Sequence, residues 1–67
     1  MTIGEILKKK RLEAHMTGKE LAKLAGTSAS MISHIESGYK VPSLGLADRL
    51  TKALGFSMDE LVGRKVG

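Results

Sequence analysis

The segment from residue 26 to residue 38, GTSASMISHIESG, combines hydrogen-bonding side chains with helical spacing. Its apolar residues Met31, Ile32 and Ile35 recur on one face of a helix that glycines bracket. Hydroxyl and imidazole groups can donate or accept hydrogen bonds, and small side chains let a helix approach a second surface closely. We interpret the opposite face as a contact surface, although solvent exposure or packing on a partner helix fits the face alone equally well. This face carries Ala29, Ser30, Ser33, His34 and Ser37.

Catalysis and metal binding have little support in the residue types present. The chain has no cysteine, and its two histidines, His15 and His34, lie far apart without further ligands at useful spacing. No glycine loop of the kind that cradles phosphate groups is present, and nothing resembles a catalytic constellation. We therefore expect a protein that is not an enzyme and that uses no metal and no cofactor.

Length and charge favour a small domain with an anionic partner. The chain has 67 residues, with 11 Lys and Arg against 7 Asp and Glu, a formal net charge of +4 and a pI near 9.7. A basic balance is compatible with nucleic acid, but one Tyr and one Phe provide no stacking platform for single strands. There is no apolar run near the ~20 residues of a membrane span and no secretory signal segment. We expect one soluble, cytoplasmic domain over residues 1–67, to which oligomerisation adds stability.

Capping signals divide the chain into five helices. Glycines are placed to end helices at Gly26, Gly38 and Gly55. β-branched residues are sparse and no alternating strand pattern competes, so we predict an all-α fold. Three helices are predicted to begin at capping boxes, in which a Thr or Ser and a Glu three residues later satisfy each other's amides, at residues 2–5, 17–20 and 57–60.

The second and third predicted helices are joined by only three residues, Gly26, Thr27 and Ser28. A connection this short with a glycine holds two helices at a steep angle, as in a helix-turn-helix over about residues 17–37. In that motif the second helix enters the major groove of DNA, which is about 12 Å wide. The small polar face described above therefore fits double-stranded DNA.

Larger blocks of the sequence strengthen this interpretation. They are Arg11, MTGKELAKLAG at 16–26, TSASMISHIESG at 27–38, PSL at 42–44 and ALGFSMDELV at 53–62. In their order and spacing they make the stretch from Ile3 to Val62 resemble the helix-turn-helix domain shared by phage repressors, Cro-type proteins and many small bacterial regulators. The resemblance implies a compact five-helix, lambda-repressor-like domain. It also implies a sequence-specific transcriptional regulator that binds double-stranded DNA of the nucleoid, and it favours a repressor.

The resemblance implies base-reading roles for four residues of the third helix, Ala29, Ser30, Ser33 and His34. Relatives often have Gln at the position of Ala29, where this chain offers only a methyl group for a thymine methyl. The two serines can donate or accept hydrogen bonds. His34 can reach a guanine or a phosphate, and an ordinary exposed histidine fits that position equally well.

Phosphate contacts are implied on both sides of the third helix. Amides at the start of the second helix can hold a phosphate with the help of the helix dipole, although relatives frequently have Gln in place of Gly18. The run Lys8-Lys9-Lys10 is interpreted as a solvated face, and solvation is also the alternative for Lys19 and Lys40. The implied contact residues are Thr17, Gly18 and Lys19, and after the third helix Ser37, Tyr39 and Lys40.

Two further positions have structural roles by resemblance. Arg11 and Glu36 would form a partly buried ion pair that ties the first helix to the third, where the alternative for Arg11 is a solvated member of the basic run. His15 stands where relatives commonly have glycine, so either it adopts a left-handed conformation or the turn differs.

Members of this fold usually dimerise, so that two recognition helices meet successive major grooves of a pseudo-palindromic operator. We expect a homodimer through the last helix and tail, about residues 57–67, with Val62 and Val66 as apolar contacts. The alternative is that these residues close the monomer core and that the dimer forms elsewhere or only on DNA.

Two other functions stay open at the level of sequence. One is an antitoxin that binds DNA and masks a partner toxin. The other is a protein-interaction adaptor that kept the fold and lost base reading, for which Ala29 and Gly18 are the support. A polymerase would be a partner of a regulator, whereas no membrane contact and no small-molecule effector is indicated.

Overall fold

The computed structural model describes residues 1–62, which form five α-helices. Within these residues no strand is present, so the all-α prediction is confirmed. None of the described helices is long and apolar enough to cross a membrane. The helices are α1 (Ile3–Glu13), α2 (Gly18–Ala25), α3 (Ala29–Glu36), α4 (Leu44–Leu54) and α5 (Met58–Val62).

Side-chain caps fix where the helices begin. The predicted boxes Thr2–Glu5 and Thr17–Glu20 are complete. Each hydroxyl accepts a hydrogen bond from the Glu amide, at 3.1 and 3.0 Å, and each carboxylate accepts one from the Thr amide, at 3.0 and 2.9 Å. Each box therefore satisfies amides that the helix itself leaves without partners.

The box predicted at Ser57 and Glu60 is only half formed. The amide of Glu60 donates to the hydroxyl of Ser57 at 3.2 Å. The carboxylate of Glu60, however, lies 3.1 Å from the ammonium of Lys10 on α1. The prediction of a complete box is wrong, because the Glu60 side chain reaches Lys10 on α1 and does not turn back to the amide of Ser57.

A single apolar core joins the helices. α2 packs on α3 and α4, while α1 packs on α3 and α5, and α4 also packs on α5. Every helix contributes to the core, and its fully buried large side chains are Leu7, Leu21, Ile32, Ile35, Leu50 and Leu61.

Gly4 allows α1 to contact α3 without an intervening side chain. It is buried, and a Cβ atom there would overlap the carbonyl oxygen of Ile35 and lie 2.9 Å from that of Glu36. Both carbonyls belong to the last turn of α3. The distance between the two helix backbones is therefore set by the absence of a side chain at Gly4.

The turn between α2 and α3 follows the predicted pattern. Gly26 is left-handed, with φ of +69°, and ends α2. The amide of Thr27 donates to the carbonyl of Ala22 at 2.9 Å, and Nε of Arg49 donates to the carbonyl of Ala25 at 2.8 Å. These bonds satisfy carbonyls at the end of α2, as a helix C-terminus requires. Ser28 then caps α3, its hydroxyl accepting from the amide of Met31 at 3.1 Å.

His15, at the end of α1, resolves the alternative that the sequence left open. Its φ is +56°, so it adopts the left-handed conformation although it is not glycine. Its amide donates to the carbonyl of Leu12 at 3.0 Å. The turn thus keeps the form that a glycine would give, at the cost of a strained backbone position.

Candidate nucleic-acid interface

The outward face of α3 is built on two buried isoleucines. Ile32 and Ile35 are each 1% exposed and anchor the helix to the core. On the other side of the helix Ala29, Ser30 and Ser33 are exposed, and no long side chain from α3 covers them. The backbone of α3 can therefore come close to any surface that meets this face.

An ion pair holds α3 against α1. Nε and Nη2 of Arg11 donate to the two carboxylate oxygens of Glu36, at 2.7 and 3.0 Å, and both side chains are nearly buried, at 13% and 10% exposed. The hydrogen bonds to Glu36 raise the pKa of Arg11 above its ordinary value. Nη1 of Arg11 donates to the carbonyl of Met16 at 2.8 Å, just before α2. One guanidinium thus positions α1, the start of α2 and the end of α3 relative to one another.

The N-terminus of α2 lies beside this face. The amide of Thr17 donates to the carboxylate of Glu20 and lowers the pKa of Glu20, and the amide of Glu20 donates back to the Thr17 hydroxyl. The amides of Gly18 and Lys19 have no acceptor within the helix, because the first helical amides lack one. They are the donors at this end of α2 that a bound anion could meet.

The turn after α3 is fixed by the carbonyl of His34. It accepts hydrogen bonds from the hydroxyl of Ser37 and the amide of Lys40, both at 3.1 Å. The imidazole of His34 is half-buried and lies 5.1 Å from the ring of Tyr39, with an angle of 60° between the planes. Tyr39 and Lys40 are exposed. The hydroxyl of Ser37 already donates its hydrogen bond to the carbonyl of His34, so a phosphate would have to compete with that carbonyl for it.

A cleft runs along one side of α3, between it, α1 and the start of α2. Its volume is about 330 Å³. The face of α3 and the N-terminus of α2 therefore form one continuous surface rather than two separate patches. The cleft is lined by Lys8, Arg11, Gly18, Ala29, Ile32, Ser33, Glu36 and Ser37.

Of the two expected dimer contacts, Val62 does not line this cleft and Val66 lies outside the described residues. Val62 ends α5, which packs on α1 and α4, and is 46% exposed. Two other valine and leucine side chains, Val41 and Leu44, are more exposed, at 77% and 78%.

Two residues of this region, Gly4 and Lys8, were not predicted from the sequence to contribute to it. Gly4 could have been noticed as a glycine in the first turn of a helix, where it usually weakens the helix. Lys8 was grouped with its neighbours, although successive helical residues point about 100° apart and so face different surroundings. In residues 1–62 no group of three or more His, Asp or Glu side chains is placed to hold a metal ion.

A family model described as helix-turn-helix matches residues 7–61. The chain belongs to the helix-turn-helix family. The match includes the whole of α2, α3 and α4, and with them all of the predicted base-reading and phosphate-contacting residues.

Two phage proteins are similar to this helix-turn-helix chain in sequence. The immunity repressor protein of Bacillus phage phi105 is 34% identical over 65 residues, which are 97% of this chain and 45% of the phage protein. The ImmF control region 10 kDa protein of the same phage is 32% identical over 59 residues, 88% of this chain and 66% of that protein. The chain therefore spans about half to two thirds of the length of these relatives.

Two solved helix-turn-helix structures are similar in fold. The P22 c2 repressor protein, solved in complex with a synthetic operator in the presence of Tl⁺, gives a TM-score of 0.91 at 28% identity, over 97% of this chain and 98% of that chain. The restriction-modification controller protein C.AhdI from Aeromonas hydrophila gives 0.85 at 29% identity, over 88% and 89%. The five-helix architecture is thus shared with both regulatory proteins.

Proposed function

We propose that the protein is a transcriptional repressor that binds double-stranded DNA sequence-specifically, with α3 in the major groove. The observation that carries the proposal is the exposed face of Ala29, Ser30 and Ser33 on a helix that the core and the Arg11–Glu36 pair hold in place. A groove about 12 Å wide admits one helix, and small side chains bring that helix close to the base edges. The operator-bound P22 c2 repressor and the phage immunity repressor among the similar proteins support it.

In this proposal the exposed residues of α3 select the DNA sequence. The methyl group of Ala29 meets a thymine methyl, and the hydroxyls of Ser30 and Ser33 exchange hydrogen bonds with base edges. His34 contributes from the end of the helix, where its ring packs beside Tyr39. With no long side chain among these four residues, direct readout is modest, and DNA shape contributes to the preference.

Phosphate contacts then fix the position of α3 in the groove. The free amides of Gly18 and Lys19 face one strand together with Thr17, since a helix N-terminus attracts anions. The turn after α3 holds the other contacts, through Ser37, Tyr39 and Lys40. Such contacts position the protein without selecting a sequence.

A homodimer would place two copies of α3 in successive major grooves of a pseudo-palindromic operator. We assign the contact between copies to the end of α5, with Val62 and, beyond the described residues, Val66. Because DNA is the partner, the protein would act at the nucleoid in the cytoplasm. Occupying a promoter would exclude polymerase, which is the simplest route to repression.

Two variants separate sequence readout from phosphate contact. Ser33→Ala removes a base-reading hydroxyl and should relax the preference at one base pair, by about 0.5 to 1.5 kcal/mol, the net contribution of one neutral hydrogen bond. Lys40→Ala should weaken binding to all duplexes similarly and reduce the dependence of affinity on salt. Lys52→Ala is the matched control, since Lys52 lies on α4 and pairs with Asp48 at 3.0 Å.

The measurement is binding to a panel of duplexes, scored by fluorescence anisotropy at several salt concentrations. If Ser33→Ala and Lys40→Ala act alike on every sequence, the assignment of roles is wrong. If the wild-type protein binds no duplex while it retains a protein partner, the fold serves as an adaptor and the proposal fails.

A further inference from the structure

The three consecutive lysines of α1 have three different surroundings. The ammonium of Lys10 lies 3.1 Å from the carboxylate of Glu60 and 5.4 Å from the ring centroid of Phe56. It therefore contacts α5 and the connection that precedes α5. Lys9 borders a groove along α1 together with Met1 and Leu12, a groove that Lys8 also borders, but it does not reach the cleft beside α3. Lys8 lines the cleft between α1, the start of α2 and α3. The run is therefore not one uniform solvated face.

Lys8 supplies the uncompensated charge of this cleft. All three nitrogens of the Arg11 guanidinium donate hydrogen bonds, two of them to Glu36 and the third to the carbonyl of Met16. The charge of Glu36 is neutralised by the same contact. Lys8 is exposed, and no ion pair of its ammonium occurs within residues 1–62. The cleft thus has a net positive charge that it owes to Lys8.

The cleft follows the DNA-facing side of α3. Ala29, Ser33 and Ser37 line it at spacings of four residues, so they form one stripe along that side of the helix. Gly18 contributes no side chain to the cleft. The space beside it is open, since an added Cβ would contact only the side chain of Ile32, at 3.7 Å. The cleft, with a volume of about 330 Å³, is large enough to admit a phosphate group with hydration water.

We propose that Lys8 binds a backbone phosphate of the DNA strand that runs along this cleft when α3 occupies the major groove. The inference rests on the proposed function and adds α1 to the DNA-binding surface. Ser33 borders the cleft and also belongs to the exposed face, so the proposed phosphate position and a base-reading residue lie on one continuous surface. Lys9, one residue away, takes no part.

The test compares Lys8→Ala with Lys9→Ala in the full chain. Each variant removes one exposed positive charge from α1, so both lower the long-range attraction to DNA equally. Only a direct phosphate contact releases a bound counterion, which changes the slope of log affinity against log salt concentration by about 0.9 per contact on B-DNA. A duplex of arbitrary sequence serves as the probe, measured by fluorescence anisotropy between about 50 and 200 mM salt.

We expect Lys8→Ala to lower the magnitude of the slope by about 0.9 per protomer, Lys9→Ala to leave it near the wild-type value, and Lys8→Arg to restore it. Circular dichroism should give the same helical signal for all variants, because both lysines are exposed. Equal slopes for Lys8→Ala and Lys9→Ala, with salt-dependent binding intact in the wild type, would overturn the inference and leave the proposed function standing. A wild-type protein without salt-dependent binding would refute the proposed function and the inference together.

Discussion

Among single residues, contacts at the end of α3 decide how the exposed face of this helix is oriented. Gly4 brings the backbone of α1 against the last carbonyls of α3, and Arg11 reaches the same turn through Glu36. Neither Arg11 nor Glu36 lies on the exposed face of α3. In the proposed function, these residues would affect DNA binding through the position of the helix.

We predict that Gly4→Ala destabilises the fold, because the new methyl group would overlap the carbonyl oxygen of Ile35 and the backbone of α3 would have to shift. Overpacking of this kind costs about 1 to 3 kcal/mol. Gly45→Ala is the control, since a Cβ there meets only Nη1 of Arg49, at 3.8 Å. Urea denaturation followed by circular dichroism measures both free energies of unfolding, and equal values for the two variants would contradict the close contact.

The Arg11–Glu36 pair should contribute to stability as well as to the position of α3. Arg11→Met leaves the nearly buried carboxylate of Glu36 without its partner, which should cost about 3 kcal/mol of stability. Arg11→Met combined with Glu36→Leu removes both charges and should recover most of that loss. Recovery should be incomplete, because the carbonyl of Met16 still lacks its donor.

The measurement for this pair is a double-mutant cycle in urea, using Arg11→Met, Glu36→Leu and the double variant. A double variant whose destabilisation equals the sum of the two single ones would mean that the residues do not interact, contrary to the structure.

At the scale of elements, the caps explain why five short helices form at defined positions. Thr17 and Glu20 satisfy each other's amides at the start of α2, and Gly26 with Arg49 satisfies its end. Short helices are marginal on their own, so such caps and the packing of one face provide their stability.

The capping boxes predict an acid-dependent loss of stability. The amide hydrogen bond from Thr17 lowers the pKa of Glu20 in the folded state below its ordinary value of 4.5. Its stabilising effect is therefore present above that value and is lost as the pH falls through the lowered folded pKa. Glu20→Gln keeps the acceptor but cannot titrate, so its unfolding midpoint in urea should fall less than that of the wild type from about pH 6 to about pH 3.

Glu13→Gln is the matched control for this experiment, because it removes a carboxylate at the last residue of α1, away from any capping box. It should retain more of the wild-type acid sensitivity than Glu20→Gln does. Identical pH profiles for the two variants would mean that the box contributes nothing to the acid response.

Much of this element structure could be predicted from the sequence, because caps and glycine ends are local signals. Thr2, Thr17 and Gly26 have the predicted roles because their partners lie within five residues. The half-formed cap at Ser57 could not be predicted, since it depends on Lys10, which is distant along the chain. The same reason applies at the site, where the family resemblance suggested the Arg11–Glu36 pair but no local pattern placed Lys8 in the cleft.

At the scale of the whole molecule, assembly decides how many grooves the protein can occupy. A chain of 67 residues buries a small core, and one recognition helix gives a limited footprint. Both considerations favour a dimer. Val62 at the end of α5 and Val41 between α3 and α4 are exposed valines at different places on the surface.

We predict that Val62→Ser weakens self-association. Burying a valine side chain contributes about 1.5 kcal/mol, and a twofold interface contains two copies, so the dissociation constant should rise at least about tenfold. Val41→Ser is the matched control and should leave the constant unchanged. Sedimentation equilibrium measures both, and dissociation caused by Val41→Ser alone would place the interface at the connection between α3 and α4.

The proposed selection of a DNA sequence by α3 in a dimer can be measured by recovering bound sequences from a random duplex pool at two salt concentrations. We expect an enriched pseudo-palindrome whose half-sites are about 10 base pairs apart, with weaker recovery at the higher salt concentration. Salt-sensitive recovery without any enriched sequence would contradict sequence-specific readout by the exposed face of α3. The absence of bound DNA at either salt concentration would contradict the assignment of this surface to DNA.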